Sequence, residues 1–303
     1  MTDISYGVTY PAGQQRHIRL EKYVSRVEEL GYDSIWLIEN IASGSPGLEC
    51  LSTLGYMAAC SNHLTIGTSI LLLPLRNPVL VAQAYSSLDV LSDGRVVLGV
   101  GVGDASGHTA LGSDKQTRGS RMEEHLDIIK KLWTEESVTY EGRFTQIADY
   151  RQTPKPVQSP HPPIWIGGHS PAAISRAARH ADGFIPVGAT PNQCREIFES
   201  LDSQTGQLQR KPLTRAAHVY LCIADNQEAA IPIVESVMAD RYQRTGRLGD
   251  PNAHLVGSLA DCKRSLQAFL EAGITHFIID PFCQQDEAIE QVEQCAKMII
   301  GCA

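Results

Sequence analysis

Short apolar runs alternate along this chain with longer segments whose apolar residues recur every three or four positions. "ISYGVTY", "SIWLIE", "LTIGTSILLL", "RVVLGVGV", "IWIGG", "GFIPV", "AAHVYLCIA" and "HFIID" read as strands. Between them, "HIRLEKYVSRVEELGY", "LECLSTLGYMAACS", "PVLVAQAYSSLDVLS", "RMEEHLDIIKKLWTE", "PAAISRAARHA", "NQCREIFESL", "LADCKRSLQAFLEAG" and "EAIEQVEQCAKMII" carry helical periodicity, as does a stretch from Glu228 to about Thr245. Pro78 opens one of these helices and Gly31 closes another. The alternation breaks once. "SVTYEGRFTQI" predicts a hairpin turning at Glu141-Gly142, and "RQTPKPVQSPHPP" an extended proline-rich connection.

Strands that are apolar on both faces belong to a sheet covered on both faces, which is a parallel sheet. Eight βα units within 303 residues predict an α/β fold, a closed (β/α)8 TIM barrel with an insertion after strand 4. A doubly wound sheet is the competing arrangement. The composition does not change along the chain, so one domain over residues 1–303 is expected, with the insertion at about 138–163.

The formal net charge is −8 and no long basic run occurs, which argues against nucleic acid or an anionic membrane as partner. No apolar run approaches the roughly 18 residues of a membrane span, and the N-terminal stretch lacks the pattern of a signal peptide; a cytoplasmic location is expected. The eight cysteines form no C-x-x-C pair and none lies at ligand spacing from a histidine, so free thiols and no metal site are expected.

In a barrel of this kind chemistry sits where the strands end at their C-terminal side. That rule selects Tyr10, Glu39 and Asn40, Ser69 to Leu73, Gly101 to Asp104, Gly167 to Ser170 and Pro186 to Gly188. "GVGVGDASGHTALG" fails the G-x-G-x-x-G dinucleotide template, because the sixth position is Asp104 or Ser106. Its glycines instead suit a flat ligand lying against the strand 4 backbone. Asp104 is either a carboxylate at the reaction centre or the cap of a short helix. His108 either joins it or is solvated. In "IWIGGHSPAAISRAA", Ser170 can cap a helix with Pro171 at its first position, and that helix start either favours a phosphate or makes an ordinary turn. Glu39 and Asn40 form either a solvated strand end or a ligand-facing pair, and Arg76 meets either an anion or an acidic neighbour. Trp36 and Trp165 are expected to fill the barrel and Trp133 to lie in the core. The absence of H-E-x-x-H, G-x-S-x-G and Walker A patterns weakens metalloprotease, serine hydrolase and P-loop readings.

The segments "ELGYDSIWLIEN", "LTIGTSILLLPLRNPVLVAQAYSSLDVLSDGRVVLGVGVGD", "RMEEHLDIIKKLW", "YEGRF" and "PPIWIGGHSPAAISRAARHADGFIP" resemble the bacterial luciferase-like flavin and deazaflavin oxidoreductases, closely over residues 1 to about 190 and loosely beyond. The resemblance implies a (β/α)8 barrel that binds FMN or the deazaflavin coenzyme F420 at its C-terminal face, acts on a small molecule, and often forms a homodimer. An acidic residue directly after the last glycine, here Asp104, is similar to the coenzyme F420-dependent branch; flavin monooxygenases more often carry an aromatic there. Carried over by position, Val102 and Gly103 would contact the ring, and Gly167, Gly168, His169 and Ser170 the cofactor phosphate. Ser69 and Ile70 would form a non-prolyl cis peptide behind the ring. Asp104, Glu39, Asn40 and His108 are the candidate catalytic residues. Many F420-dependent members have Asp-His where Glu39-Asn40 stands here. Asparagine is no general acid at neutral pH, so Asp104, His108 or Glu39 must supply the proton. The resemblance implies hydride transfer between F420 and a small organic substrate. Its alternatives are an FMN-dependent monooxygenase and a non-catalytic flavin-binding barrel.

Overall fold

Eight parallel strands close on themselves: β1 (Ser5–Thr9), β2 (Ser34–Leu37), β3 (Thr65–Thr68), β5 (Val96–Gly101), β8 (Ile164–Gly167), β9 (Gly183–Ile185), β10 (Thr214–Ile223) and β12 (His276–Pro281). Closure is made by β9 pairing with β10 and by β12 pairing with β1. The computed structural model of the protein describes residues 4–11, 19–41, 47–242, 247–283 and 287–300. The expected (β/α)8 barrel is therefore present. The third predicted strand is interrupted: after β3 comes the cis peptide Ser69-Ile70, and the chain resumes as the two-residue β4 (Leu71–Leu72), which pairs with β5. The sequence pattern missed β11 (Leu255–Gly257), which lies against the outer end of β10.

The helices of the outer ring begin where their caps dictate. Asn77 accepts from the N–H groups of Val79 and Leu80 at the start of α3 (Pro78–Leu91). Thr190 and Ser258 form reciprocal capping boxes at the starts of α7 (Pro191–Gln207) and α9 (Leu259–Glu271). The helix expected from Glu228 to about Thr245 is α8 (Gln227–Tyr242), and Thr245 lies outside the described residues. Helix α5 (Arg118–Thr134) buries Leu126, Ile129, Leu132 and Trp133 against the barrel.

The insertion leaves the barrel after β5 and α5. It is a hairpin, β6 (Val138–Glu141) and β7 (Gln146–Tyr150), followed by a strap with cis bonds before Pro154 and Pro160. Buried Asp89 on α3 fixes the strap by accepting from the N–H groups of Val157 (2.7 Å) and Gln158 (2.9 Å).

Inside the barrel, Trp36 stacks on Trp165 with centroids 5.1 Å apart, and His276 meets both rings edge-on. Glycines opposite the indoles make the room. A Cβ on Gly183 would lie 2.7 Å from the Trp165 ring, and one on Gly67 would overlap Trp36. This packed layer closes the barrel below the strand ends, so chemistry is confined to the mouth.

Candidate active site at the barrel mouth

The β3–β4 bulge shapes one side of the mouth. Ile70 projects from it toward the ends of β5 and β8. A Cβ on Gly101 would collide with Ile70 Cδ1, one on Gly167 would come within 2.8 Å of Ile70 Cγ2, and one on Gly99 would strike the Thr68 carbonyl. The glycines of "GVGVG" therefore make room first for the bulge itself, which corrects the reading that they serve a flat ligand directly. Ile70, Leu72, Val102, Gly103, Gly167 and Gly168 remain half-buried at the surface so formed.

Glu39 is not an open, ligand-facing carboxylate. It is buried, accepts from Leu72 N–H at 2.5 Å and Arg76 Nε–H at 2.8 Å, and takes a further contact from Arg76 Nη2. Arg76 Nη2 also bonds Glu49 at 2.7 Å. Arg76 thus meets acidic neighbours. Burial works against its charge, but Glu39 and Glu49 outweigh that and hold its pKa above the ordinary guanidinium value. Glu49 is exposed; desolvation works to raise its carboxyl pKa, but Ser52 and Arg76 hold it at about 2. Together these groups clamp the end of β2 to the bulge. Both Glu39 oxygens are thus engaged within the protein.

His108 is corrected likewise. It is fully buried, not solvated. Its Nε2 lies 2.7 Å from the Val102 carbonyl and its Nδ1 3.2 Å from Ser113 Oγ. Both nitrogens are spent on bracing the loop that carries Val102 and Gly103. Asp104 is exposed at that loop, and its Oδ1 accepts from Gly107 N–H at 3.2 Å at the start of the short helix α4 (Ala105–Ala110). The capping role is thus present, and the carboxylate still reaches solvent at the mouth. Asn40 is half-buried, and its Nδ2 is a sealed donor with no hydrogen-bond partner among the described residues.

After β8, Gly168 adopts φ +148° and donates its N–H to Ile185 O at 3.1 Å. His169 and Ser170 are exposed. Ser170 accepts from Ala173 N–H at 3.2 Å and caps α6 (Pro171–His180), with Pro171 at the first position as expected. The Gly168 and Ala173 N–H groups are therefore already engaged within the protein. An anion here would rest on the exposed remainder of the turn.

The opposite wall holds groups that the sequence reading did not single out. Ser69 Oγ lies 2.8 Å from His218 Nδ1 on β10. His218 Nε2 lies 3.4 Å from Asp280 Oδ2 on β12. Asp280 is fully buried and also accepts from Arg241 Nη1 at 2.7 Å and Thr9 Oγ1 at 2.6 Å. Burial raises the carboxyl pKa of Asp280, but Arg241, His218 and Thr9 outweigh it and hold the group below its ordinary value. The available signal was a histidine and an aspartate within otherwise apolar strands, since such groups are buried only with partners.

An apolar half-buried surface at Ile70 and Leu72, glycine edges, and a sealed donor at Asn40 fit a flat ring system with polar edge atoms. Coenzyme F420 and FMN both have this chemistry, and Ile70, Val102, Gly103, Gly167 and Asn40 would hold the ring. Among the described residues no group of histidine, cysteine and acidic side chains is placed to hold a metal ion, and no helix is long and apolar enough to cross a membrane.

Comparison with known proteins places this geometry. The model of the luciferase-like monooxygenase family matches residues 4–300. The chain is similar to the F420-dependent glucose-6-phosphate dehydrogenase of Microbacterium testaceum (strain StLB037), 37% identical over 185 residues, 58% of this chain and 54% of that protein. It is similar to the enzyme of the same name from Kineococcus radiotolerans, 33% identical over 177 residues, 55% of this chain and 51% of that protein. The chain thus spans about half the length of the curated relatives it matches. Among solved structures, the monooxygenase RslO1 from Streptomyces bottropensis superposes with a TM-score of 0.85 at 20% identity, covering 98% of this chain and 99% of that one. An F420-dependent secondary alcohol dehydrogenase in complex with an F420-acetone adduct gives 0.83 at 18% identity, covering 96% and 98%. At such identities the superpositions establish the shared fold.

Proposed function

The chain belongs to the luciferase-like monooxygenase family, and from that premise we propose that it is an oxidoreductase transferring a hydride between coenzyme F420 and a small organic substrate. The observation that carries this reading is the similarity to relatives named F420-dependent dehydrogenases. Asp104, directly after Gly103 in the loop that follows β5, supports the same branch.

When bound, F420 supplies a ring carbon that accepts or releases hydride; the protein supplies position and electrostatics. Ile70, backed by Gly101 and Gly167, would hold the ring. Asn40 Nδ2, unpartnered among the described residues, would donate to a polar atom of the ring or of the substrate. Val102 and Gly103, braced by His108, fix the near edge. Asp104 keeps a carboxylate exposed beside them, placed to handle a proton or to orient a donor. Glu39 and Arg76 hold the bulge against the end of β2.

Fluorescence titration of the purified protein with F420 and with FMN tests the cofactor. Saturable binding of F420 in preference to FMN is expected, and preference for FMN would reject the reading. Asp104→Asn removes the titrating group and keeps its shape. Turnover is expected to fall roughly 10²–10⁴-fold, the usual worth of a general acid or base, with the F420 dissociation constant little changed. Full turnover in the variant would reduce Asp104 to a helix cap.

A further inference from the structure

Two helices of the outer ring differ from their neighbours in what they show to solvent. Helix α2 (Cys50–Cys60) contains no charged residue, and the one charged residue of α3 is Asp89, which is fully buried and spent on the strap. By contrast α1 (Leu20–Glu29), α5, α7, α9 and α10 (Ala288–Ile300) all carry charged side chains that reach solvent, such as Lys22, Lys131, Glu196, Lys263 and Glu290. A helix without a charged face is ordinarily a covered helix. Here the outer side is open. Ser52, Tyr56 and Ala59, at i, i+4 and i+7, line the solvent side of α2, and Leu80, Gln83 and Leu91 that of α3. Leu80 is 63% exposed, Leu91 76% and Tyr56 50%, so little of these side chains is used within the chain. The helices lie side by side, since a Cβ on Gly55 of α2 would sit 3.7 Å from Leu88 of α3, and the two stripes make one continuous face.

Its charge says what covers it. A charged partner surface would lose water against this face and find no counter-charge, which is costly. The match for an uncharged face is another uncharged face, and this chain supplies that match itself. The chain as a whole carries −8, so two copies meet with least repulsion where neither brings charge. Such a face is self-complementary across a two-fold axis. Its hydroxyls are already satisfied: Ser87 Oγ–H donates to Gln83 O at 2.9 Å and Ser52 Oγ–H to Glu49 at 2.9 Å. Covering them therefore leaves few donors stranded. Helices of 11 and 14 residues are about 17 and 21 Å long and about 10 Å across, which gives roughly 400 Å² in projection and more along their ridges. With exposed Leu48 before α2 and exposed Val157 on the strap at its margins, two copies bury about the 1,000 Å² that a specific contact needs.

We propose that the outer faces of α2 and α3 seat a second copy of this chain, and that this contact steadies the clamp at the barrel mouth. The link to the mouth is short. Glu49 caps α2 and accepts from Arg76. Arg76 lies two residues before the start of α3 and also bonds Glu39, which accepts from the Leu72 N–H of the bulge. The clamp thus hangs from the first residues of the two helices. A contact that locks α2 against α3 locks Glu49 against Arg76, and through Glu39 it holds the bulge. The proposal goes beyond the hydride-transfer reading and stands independently of it, because no cofactor enters its test.

Sedimentation velocity of the full chain at micromolar concentration, without cofactor, measures the association. Wild type is expected as a dimer. The double variant Leu80→Glu, Leu91→Glu is expected as a monomer, and so is Tyr56→Arg, which places its charge on α2 instead of α3. Leu259→Glu is the control and is expected to stay dimeric, because Leu259 on α9 is 46% exposed but lies off the face. Substitutions at exposed positions leave the fold intact, which circular dichroism checks for each variant. Hydrogen exchange then reads the link to the mouth. The Leu72 amide is expected to exchange roughly 5–150-fold faster in a monomeric variant than in the wild-type dimer, the usual range for coupling between two sites. A monomeric wild type, including one that carries some other protein on this face, overturns the second copy. So does a dimer that persists in both the folded α2 and the folded α3 variant, or one that Leu259→Glu disrupts equally. Equal exchange at Leu72 in dimer and monomer overturns the link to the mouth.

Discussion

The wall of the mouth built by β5, β8 and the β3–β4 bulge is nearly free of side-chain polarity, whereas the wall built by β10 and β12 holds an imidazole, a carboxylate and a guanidinium under cover. The first wall works by absence. Gly99, Gly101 and Gly167 lack the Cβ atoms that would collide with the bulge, so a rigid apolar step can stand at the ring site. The second works by mutual satisfaction: each polar group is tolerable because the next one pairs with it. Glu39, like Asp280, is a buried carboxylate paired with an arginine, but the two meet different groups. The Glu39 oxygens end on the backbone of the bulge and on Arg76, whereas Asp280 faces an imidazole whose other nitrogen reaches a hydroxyl at the mouth.

The largest expected effect falls on the polar wall. Arg241→Ala would leave Asp280 as an uncompensated buried charge, and breaking such a pair costs about 3–5 kcal/mol. Urea denaturation of the variant at neutral pH measures it; a loss below about 1 kcal/mol would show that the pair is not sealed as described.

The next effect compares the polar wall with the barrel floor. His254 is lowered to about 4 by burial and by its neighbour His218, and His276 is lowered to about 4 by burial between the indoles. An unfolded histidine titrates near 6.5, so the folded state binds fewer protons than the unfolded state between those values. Stability from both is full above about pH 6.5, falls as the pH drops toward the folded values, and levels off below about 4. Each histidine is expected to cost about 2 kcal/mol between pH 6.5 and 5. Urea midpoints across that range check the slope, and a flat profile would mean that the two rings are open to protonation.

The smallest effect belongs to the glycine wall. Gly101→Ala is expected to cost about 1–3 kcal/mol, as overpacking usually does, toward the lower end because the colliding atom is the tip of Ile70. Ile70 would be pushed into the mouth, so cofactor affinity should fall more than thermal stability. Calorimetry and fluorescence titration of the same variant separate the two, and unchanged affinity would detach Ile70 from the ring site.

The apolar blocks and their spacing determined the barrel, its insertion and the starts of its helices, because hydrophobic periodicity, Pro at the first turn and Ser, Thr or Asn caps act over a few residues. Pro78, Ser170 and Pro171 could be placed from the chain alone. The resemblance of segments added the cis peptide at Ser69-Ile70, which is present. Only the tertiary structure decided which polar groups meet. Thr9, Ser69, His218, Arg241 and Asp280 are separated by up to 271 residues in the chain, and nothing local marks them as partners until the barrel closes. The same holds for Arg76, whose choice between an anion and a carboxylate was made by Glu39 just beyond the end of β2, and for His108, which the short helix after β5 turned inward. Short-range patterning fixes where a strand runs and which way it faces. Long-range closure fixes what its side chains face, and the chemistry of the mouth is set by that second step.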